Sequence, residues 1–443
     1  MTQAYNFSID RLGKCSVPSP INLSKTQDQC MAKFVTDELS VIYNVKIKSD
    51  NLTRSYNKEN LLEMAGPREM IYFDPLKLHA AIVTCGGLCP GINDVIRSIV
   101  MCLWHHYGVR RISGIEFGYR GFLPEFRFPV VDLTPEKVVN IHKMGGTILG
   151  TSRGGGEQTA EIVDTLERMN LNVVFIIGGD GTQKGALAIT KEVKKRNLKI
   201  SVIGIPKTID NDLGFVQKSF GFETAVSAAV SAVSGAHTEA HDSINGIGLV
   251  KVMGRESGFI AAHTALAMND VNYVLIPEVP FDLEGANGLL RHLQHRLRIR
   301  NHAMILVAEG AGQNHLQETG LKDVSGNKTL ADIGLFLKTT ISEFFKSKKT
   351  EVNIKYIDPS YIIRSAHANP SDSIFCARLG NNAVHAALSG RTGAMISLIN
   401  NQYVHVPLEL VVSKRNKVDP ESSLWRDVVS LTGQPALMTN KRF

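Results

Sequence analysis

From His79 onward, short and almost uninterrupted apolar runs alternate with longer stretches in which apolar residues recur every three or four positions. The runs HAAIVTC, ISGIEFG, NVVFII, ISVIGI, GIGLVKVMG, YVLIPE and AMILVAEGA carry no regular polar face, so they read as strands buried on both sides. The stretches between them read as helices. One covers DVIRSIVMCLWHHYG, a second opens at Thr134 with Pro135 in its first turn, and others lie near Glu157–Met169 and over Lys184–Lys195. An Ala/Ser/Val-rich helix follows Phe222, with further helices near Phe259–Met268 and Leu289–Arg300. Strands alternating with helices predict an α/β fold: two doubly wound, mainly parallel-sheet domains facing an active-site cleft, with an N-terminal extension. In such sheets ligands bind beyond the carboxyl ends of the strands.

Residues 1 to 78 lack this alternation. They are polar, carry the turn signals GPRE and DPLK, and read as an extension that wraps the core or a neighbouring subunit. The length, 443 residues, exceeds one typical domain and suits two or three. No apolar stretch is long enough to span a bilayer, and MTQAYNFSIDRLGK lacks the basic start and apolar core of a signal peptide. Six cysteines in so long a chain fit a reducing cytoplasm better than a disulfide framework, and the terminal NKRF is not a Ser-Lys-Leu address. The net charge of +7 permits a nucleic-acid partner, but its basic clusters, Lys191–Arg196, Arg296–Arg300 and Lys346–Lys349, are scattered and read as solvated helix faces. An anionic small substrate accounts for part of the excess equally well.

Glycines and carboxylates concentrate where strands end. In TCGGLCPGIND, Gly86, Gly87 and Gly91 allow close backbone approach before a helix whose free N–H groups suit an anion. A plain tight turn is the competing reading, and the segment is neither a Walker A loop nor G-x-G-x-x-G. In NVVFIIGGDGTQKGALAIT, Asp180 stands between glycines with no adjacent basic residue. It is either a capping residue or a carboxylate that holds Mg²⁺ against phosphates. In GIPKTIDNDLG, Asp210 and Asp212 lie two apart beside Lys207 and Thr208. A buried pair of acids needs a cation, and one of them can serve as a base; a polar Asx turn is the alternative. Arg255 in VKVMGRESGFIA, where a helix starts near Ser257, suits a phosphate, and Glu309 is a further lone carboxylate at a strand end. Lys355, Tyr361 and Arg364 in KYIDPSYIIRSAHANPSD suit a second anionic group. Two metal readings fail on spacing. Cys85 and Cys89 lack a second pair, and His237 and His241 lack the Glu that directly follows the first His of a zincin.

The set GGLCPGIND, TSRGGG, GGDGTQKGA, PKTIDND, MGRESG, the Glu309 segment and YIIR, in this order, resembles the 6-phosphofructokinase family. The resemblance is to its long-chain, ATP-dependent branch and covers roughly His79 to Arg391. It implies transfer of the γ-phosphoryl group of ATP to the 1-hydroxyl of fructose 6-phosphate with Mg²⁺. By motif, Gly86, Arg153, Gly154, Gly179, Asp180, Gly181 and Thr182 bind ATP, with Asp180 on the metal. Asp210 is the base, Thr208 touches the transferring group, and Asp212 supports the site. The sugar phosphate falls to Thr208, Ile209, Asp210, Met253, Gly254, Arg255 and Glu309, with Lys355, Tyr361, Ile362, Ile363 and Arg364 at its 6-phosphate; Arg255 also counts as catalytic. The resemblance further implies an ATP-binding domain over 79–221 plus about 363–413, a sugar-phosphate domain over 222–362 and a tail over 414–443. It implies an allosteric homotetramer with no nucleic-acid or membrane partner.

Donor choice rests on Gly181 and Lys207. Pyrophosphate users of the family carry an Asp at the first position, which would crowd an α-phosphate, so Gly favours ATP. Lys207 is typical of pyrophosphate users, yet ATP-using long-branch members pair it with Gly. Two departures from the short bacterial enzymes are Gly246, where an Arg reaches the neighbouring subunit's substrate, and Tyr361, where a His stands. Both put transfer of those enzymes' intersubunit contacts in doubt. The rivals are a pyrophosphate-dependent enzyme and a non-catalytic binding module, which would be expected to lose Asp180 or Asp210. Lipid and NAD kinases share Gly-Gly-Asp-Gly-Thr but lack PKTIDND and MGR together.

Overall fold

A computed structural model of the chain describes residues 5–25, 31–46, 60–317 and 330–440; the terminal Lys-Arg-Phe and Cys30 lie outside them. The chain divides into two compact units, one of Met1–Thr208, Leu213–Gly221 and Ser365–Arg415, the other of Ile209–Asp212, Phe222–Arg364 and Asn416–Phe443.

The first unit is built on a seven-stranded sheet in the order Gln402–Pro407, Ala394–Ile399, Ser201–Pro206, Val173–Gly178, His79–Thr84, Arg111–Ile115, Val130–Asp132. The five central strands are parallel and both edge strands antiparallel. Ala81, Val83, Val174, Ile176 and Val202 share one core with Ile162, Leu166, Ala186, Ile189 and Val193 of two helices. Their strand neighbours Ile82, Phe175 and Ile203 are equally buried on the opposite face. Cover on both faces is why these strands read as continuous apolar runs. The second unit holds a four-stranded, wholly parallel sheet in the order Tyr273–Leu275, His302–Ala308, Gly246–Val252, Asn353–Ile357. Leu249, Leu275, Ile305 and Val307 pack with Leu289, Leu293, Leu337, Ile341 and Phe345. Ala225, Ala229, Val233, Ala236 and Ala240 form the buried stripe of the helix Phe222–His241.

Several elements differ from expectation. The helix after Val173–Gly178 begins at Asp180, four residues before the expected Lys184, because the glycine-rich stretch is its first turn. The helix at Pro135 ends after one turn, at Val138, and Thr134 makes no side-chain cap bond. The described part of the extension packs into the first unit: Asp10–Arg11 pairs antiparallel with Arg391–Thr392, and Phe7, Leu62 and Ile71 are buried. The chain end is more than a loose tail. Its helix Ser423–Thr432 buries Trp425 and Val428, and the Asp282 N–H donates to the Met438 carbonyl. Among the described residues, no helix is long and apolar enough to cross a membrane.

Candidate active site

In the first unit four loops meet beyond the carboxyl ends of the strands. Gly86, at φ +89°, donates its N–H to the Ser152 carbonyl at 2.9 Å, and its own carbonyl accepts from Thr151 Oγ1 at 2.7 Å. This stitches GGLCPG to TSRGGG, with Arg153 exposed and Gly154 beside it. Ser152 Oγ and Tyr119 Oη bring in the segment Phe117–Arg120: the first donates to the Phe117 carbonyl, the second to the Thr182 carbonyl at 2.6 Å. Gly185 must be small because a Cβ there would strike the Tyr119 ring at 2.7 Å. Gln183 is fully buried and donates to the carbonyls of Gly178 and Ile205, tying two strand ends to the start of the helix. Gly179 precedes the helix as its N-cap, and Asp180 is its first residue.

Asp180 has close basic neighbours, contrary to the reading from its sequence surroundings. Lys184 Nζ lies 2.9 Å and Arg415 Nη2 3.0 Å from the same oxygen, Oδ2. Lys184 comes from one helical turn further on. Arg415 comes from 235 residues away, where no local signal marks it. Gly181 differs from its neighbours: a Cβ there would meet nothing within 4 Å, and its φ is not left-handed. No packing and no backbone conformation in the chain requires glycine at that position. Lys207 is buried and donates from Nζ to the Gly87 carbonyl at 2.5 Å. The same ammonium would sit 3.2 Å from a Cβ at Gly86, so Lys207 packs directly on the glycine loop. Thr208 accepts from Ser219 Oγ at its carbonyl. Cys85 is buried, and burial pushes its thiol up to about 12, so it is an inert packing residue.

In the second unit a carboxylate group forms around Asp210. Sheet register brings its members together: Val252 pairs with Ala308, so Met253-Gly254-Arg255 and Glu309-Gly310 leave adjacent strands side by side. The Gly310 N–H then donates to the Gly254 carbonyl at 3.0 Å. Gly254 sits at φ +131°, a conformation other residues avoid. Asp210 Oδ2 accepts from the Arg255 N–H at 3.4 Å, and the Asp210 carbonyl accepts from Ser257 Oγ at 3.0 Å. Desolvation, and then the charges of Asp212 and Glu309, hold the Asp210 carboxyl well above the usual carboxylate range; Arg364 pulls it back. Burial raises Glu309 too, against the pull of Arg255, Lys251 and Arg364. Asp212 and Ile209 are buried.

The YIIR segment is divided. It forms the helix Ser360–Ser365, on which Ile363 is core, Tyr361 and Ile362 face outward, and Arg364 faces the acids. Lys355 does not join them. It lies in mid-strand opposite Gly248, and its ammonium pairs with Glu239 at 3.3 Å, at the end of the sheet where strands begin. His237 and His241 pack with His302 on that same side. Among the described residues, no group of three or more His, Cys, Asp and Glu is arranged to hold a metal ion.

The phosphofructokinase family model matches residues 79–387. The chain is 57% identical to ATP-dependent 6-phosphofructokinase of Borreliella burgdorferi, over 98% of each chain. The chain belongs to the phosphofructokinase family. A protist phosphofructokinase, the ATP-dependent enzyme of Trypanosoma brucei brucei, is 42% identical over 96% of this chain and 87% of its own. Among solved phosphofructokinases, the pyrophosphate-dependent enzyme of Marinobacter aquaeolei superposes with a TM-score of 0.66 at 20% identity, over 83% of this chain and 93% of its own, and so shares the fold. The family match stops before Arg415. Lys184, Tyr119, Ser257 and Arg415, absent from the motif reading, all touch residues within it. Lys184 alone was legible, from its i, i+4 spacing to Asp180.

Proposed function

We propose that this phosphofructokinase transfers the γ-phosphoryl group of ATP to the 1-hydroxyl of fructose 6-phosphate, giving fructose 1,6-bisphosphate and ADP. The observation that carries the reading is Asp210, a carboxyl held on the Arg255 N–H and raised by burial and then by neighbouring acids, in a chain 57% identical to an ATP-dependent enzyme. Phosphoryl transfer asks mainly for positioning and charge neutralisation. The donor's phosphates fit the glycine loops of the first unit, at Gly86, Arg153–Gly154 and Gly179–Thr182. A single carboxylate, Asp180, beside the open Gly181 suits a metal ion whose other ligands are phosphate oxygens. Magnesium bound there supplies positive charge against the phosphate oxygens. Asp210 takes the proton of the 1-hydroxyl as that oxygen attacks phosphorus, and Asp212 supports it. Thr208 lies at the transferring group, and Met253, Gly254, Arg255, Glu309 and Arg364 orient the sugar phosphate. Lys355, already engaged with Glu239, is left out of this group. The peptide bond Thr208–Ile209 carries the chain from the first unit to the second. The same reading gives a cytoplasmic homo-oligomer.

The test offers purified protein fructose 6-phosphate and Mg²⁺ with ATP or with pyrophosphate. Turnover with ATP is expected; turnover with pyrophosphate alone, or with neither, overturns the reading. Asp210→Asn keeps the shape and removes the proton acceptor, so kcat falls roughly 10²-fold or more while nucleotide still binds. An unchanged rate removes Asp210 from the role of base.

A further inference from the structure

Lys251 is the next-to-last residue of the strand Gly246–Val252, just before Met253-Gly254-Arg255, and its side chain is only 12% exposed. Its ammonium holds two carboxylates at once: Asp332 Oδ2 lies 2.8 Å and Asp358 Oδ2 2.9 Å from Nζ. Strand register supplies the second of these. Val250 pairs with Ile357, so Asp358 leaves the neighbouring strand beside Lys251. Each acid divides its oxygens in the same way. Asp332 Oδ1 accepts from the Leu335 N–H at 3.0 Å and caps the helix Ile333–Ser347. Asp358 Oδ1 accepts from the Ser360 N–H at 3.1 Å and from Ser360 Oγ, where the helix Ser360–Ser365 begins. One ammonium therefore fastens the starts of two helices to one strand.

The second of those helices carries Arg364. Six residues are too few for a helix to persist without anchorage, and Ile363 is its one buried residue. Asp358 anchors its N-terminus, and Lys251 in turn holds Asp358. Because the ammonium is shielded, water and salt screen these pairs less than exposed ones. Arg364 lies one turn after Ser360, and its guanidinium draws down both Asp210 and Glu309. A shift of so short a helix is passed on to that side chain. A misplacement of about 1 Å at a substrate-positioning group costs on the order of 10²-fold.

We propose that Lys251 is a positioning residue for the sugar phosphate: through Asp358 it fixes the helix Ser360–Ser365, and with it the place of the Arg364 guanidinium. The proposal rests on the reading of the second unit as the sugar-phosphate site.

The experiment measures the KM for fructose 6-phosphate at saturating MgATP, beside the melting temperature, for wild type, Lys251→Met, Lys251→Arg, Asp358→Asn and Asp332→Ala. It then repeats Lys251→Met in an Arg364→Gln background. Lys251→Met should raise the KM about 10- to 100-fold, and Lys251→Arg should recover part of the loss. Asp358→Asn keeps an acceptor for Ser360 and loses the charge, so its KM should rise about 3- to 10-fold. Asp332→Ala should lower the melting temperature through its lost cap yet leave the KM within about threefold of wild type. Once Arg364 is replaced, Lys251→Met should add no more than about threefold, because the two residues act in series. An unchanged KM in a folded Lys251→Met overturns the proposal; if that variant does not fold, an unchanged KM in Asp358→Asn does so. A full additional loss in the Arg364→Gln background overturns it too. So does a KM that follows the melting temperature across all variants, which marks a merely structural role. Wild-type protein that transfers no phosphoryl group to fructose 6-phosphate overturns the proposed function itself, and this proposal with it.

Discussion

Replacing Gly181 with Asp separates stability from donor use. The new side chain enters space in which nothing lies within 4 Å of its Cβ, on backbone that is not left-handed, so the fold has no steric reason to resist it. The position is in the first turn of the helix Asp180–Lys195. Loss of glycine's backbone freedom and an acid near the helix N-terminus together stabilise by about 0.5–1 kcal/mol, part of which repulsion from Asp180 offsets. The melting temperature should therefore hold or rise slightly. ATP binding moves the other way. A charge about 5 Å from a phosphate costs ~1 kcal/mol in bulk water and ~3 kcal/mol at an effective dielectric constant of 20. Gly181 is exposed, which places the cost between these limits and predicts a rise in KM for ATP of about 10- to 100-fold. Steady-state kinetics with ATP, and separately with pyrophosphate, at saturating fructose 6-phosphate read this out. A folded Gly181→Asp enzyme with wild-type KM for ATP would refute the idea that glycine here makes room for a nucleoside donor.

Two further tests address charge. Because the fold favours the neutral form of Asp210, it binds a proton there that the unfolded chain releases above about pH 4. The stability from this group is therefore full below the unfolded pKa and declines as pH rises toward the folded one. Asp210→Asn should consequently raise the melting temperature near pH 8 but not near pH 4, and the acid limb of kcat/KM should lie above the usual carboxylate range; a limb near pH 4 contradicts the assignment. In the first unit, Glu63 and Asp37 meet the fully buried Arg391 together with Arg68 and Arg11, and both carboxyls are held below their ordinary range, Asp37 at about 2. Glu63→Gln leaves Arg391 undercompensated and should cost about 3–5 kcal/mol in urea unfolding at pH 7. In wild type this stability is present above the unfolded pKa and fades as pH falls through the folded one. A loss below 1 kcal/mol would show that Asp37 alone satisfies the arginine.

The sequence by itself determined the α/β class, the strands and most helices, because burial on both faces leaves an apolar run that needs no partner to be recognised. It also marked the strand ends at which glycines and acids cluster. Tertiary structure alone decided which of those residues meet. The parallel register of Gly246–Val252 with His302–Ala308 sets Glu309 beside Gly254, and the same sheet turns Lys355 away toward Glu239. It alone brought Arg415 to Asp180 across 235 residues and drew Phe7 and Leu62 into the first core. Periodicity reports how a segment faces its surroundings. Pairing between distant segments depends on register and packing, which no local pattern contains.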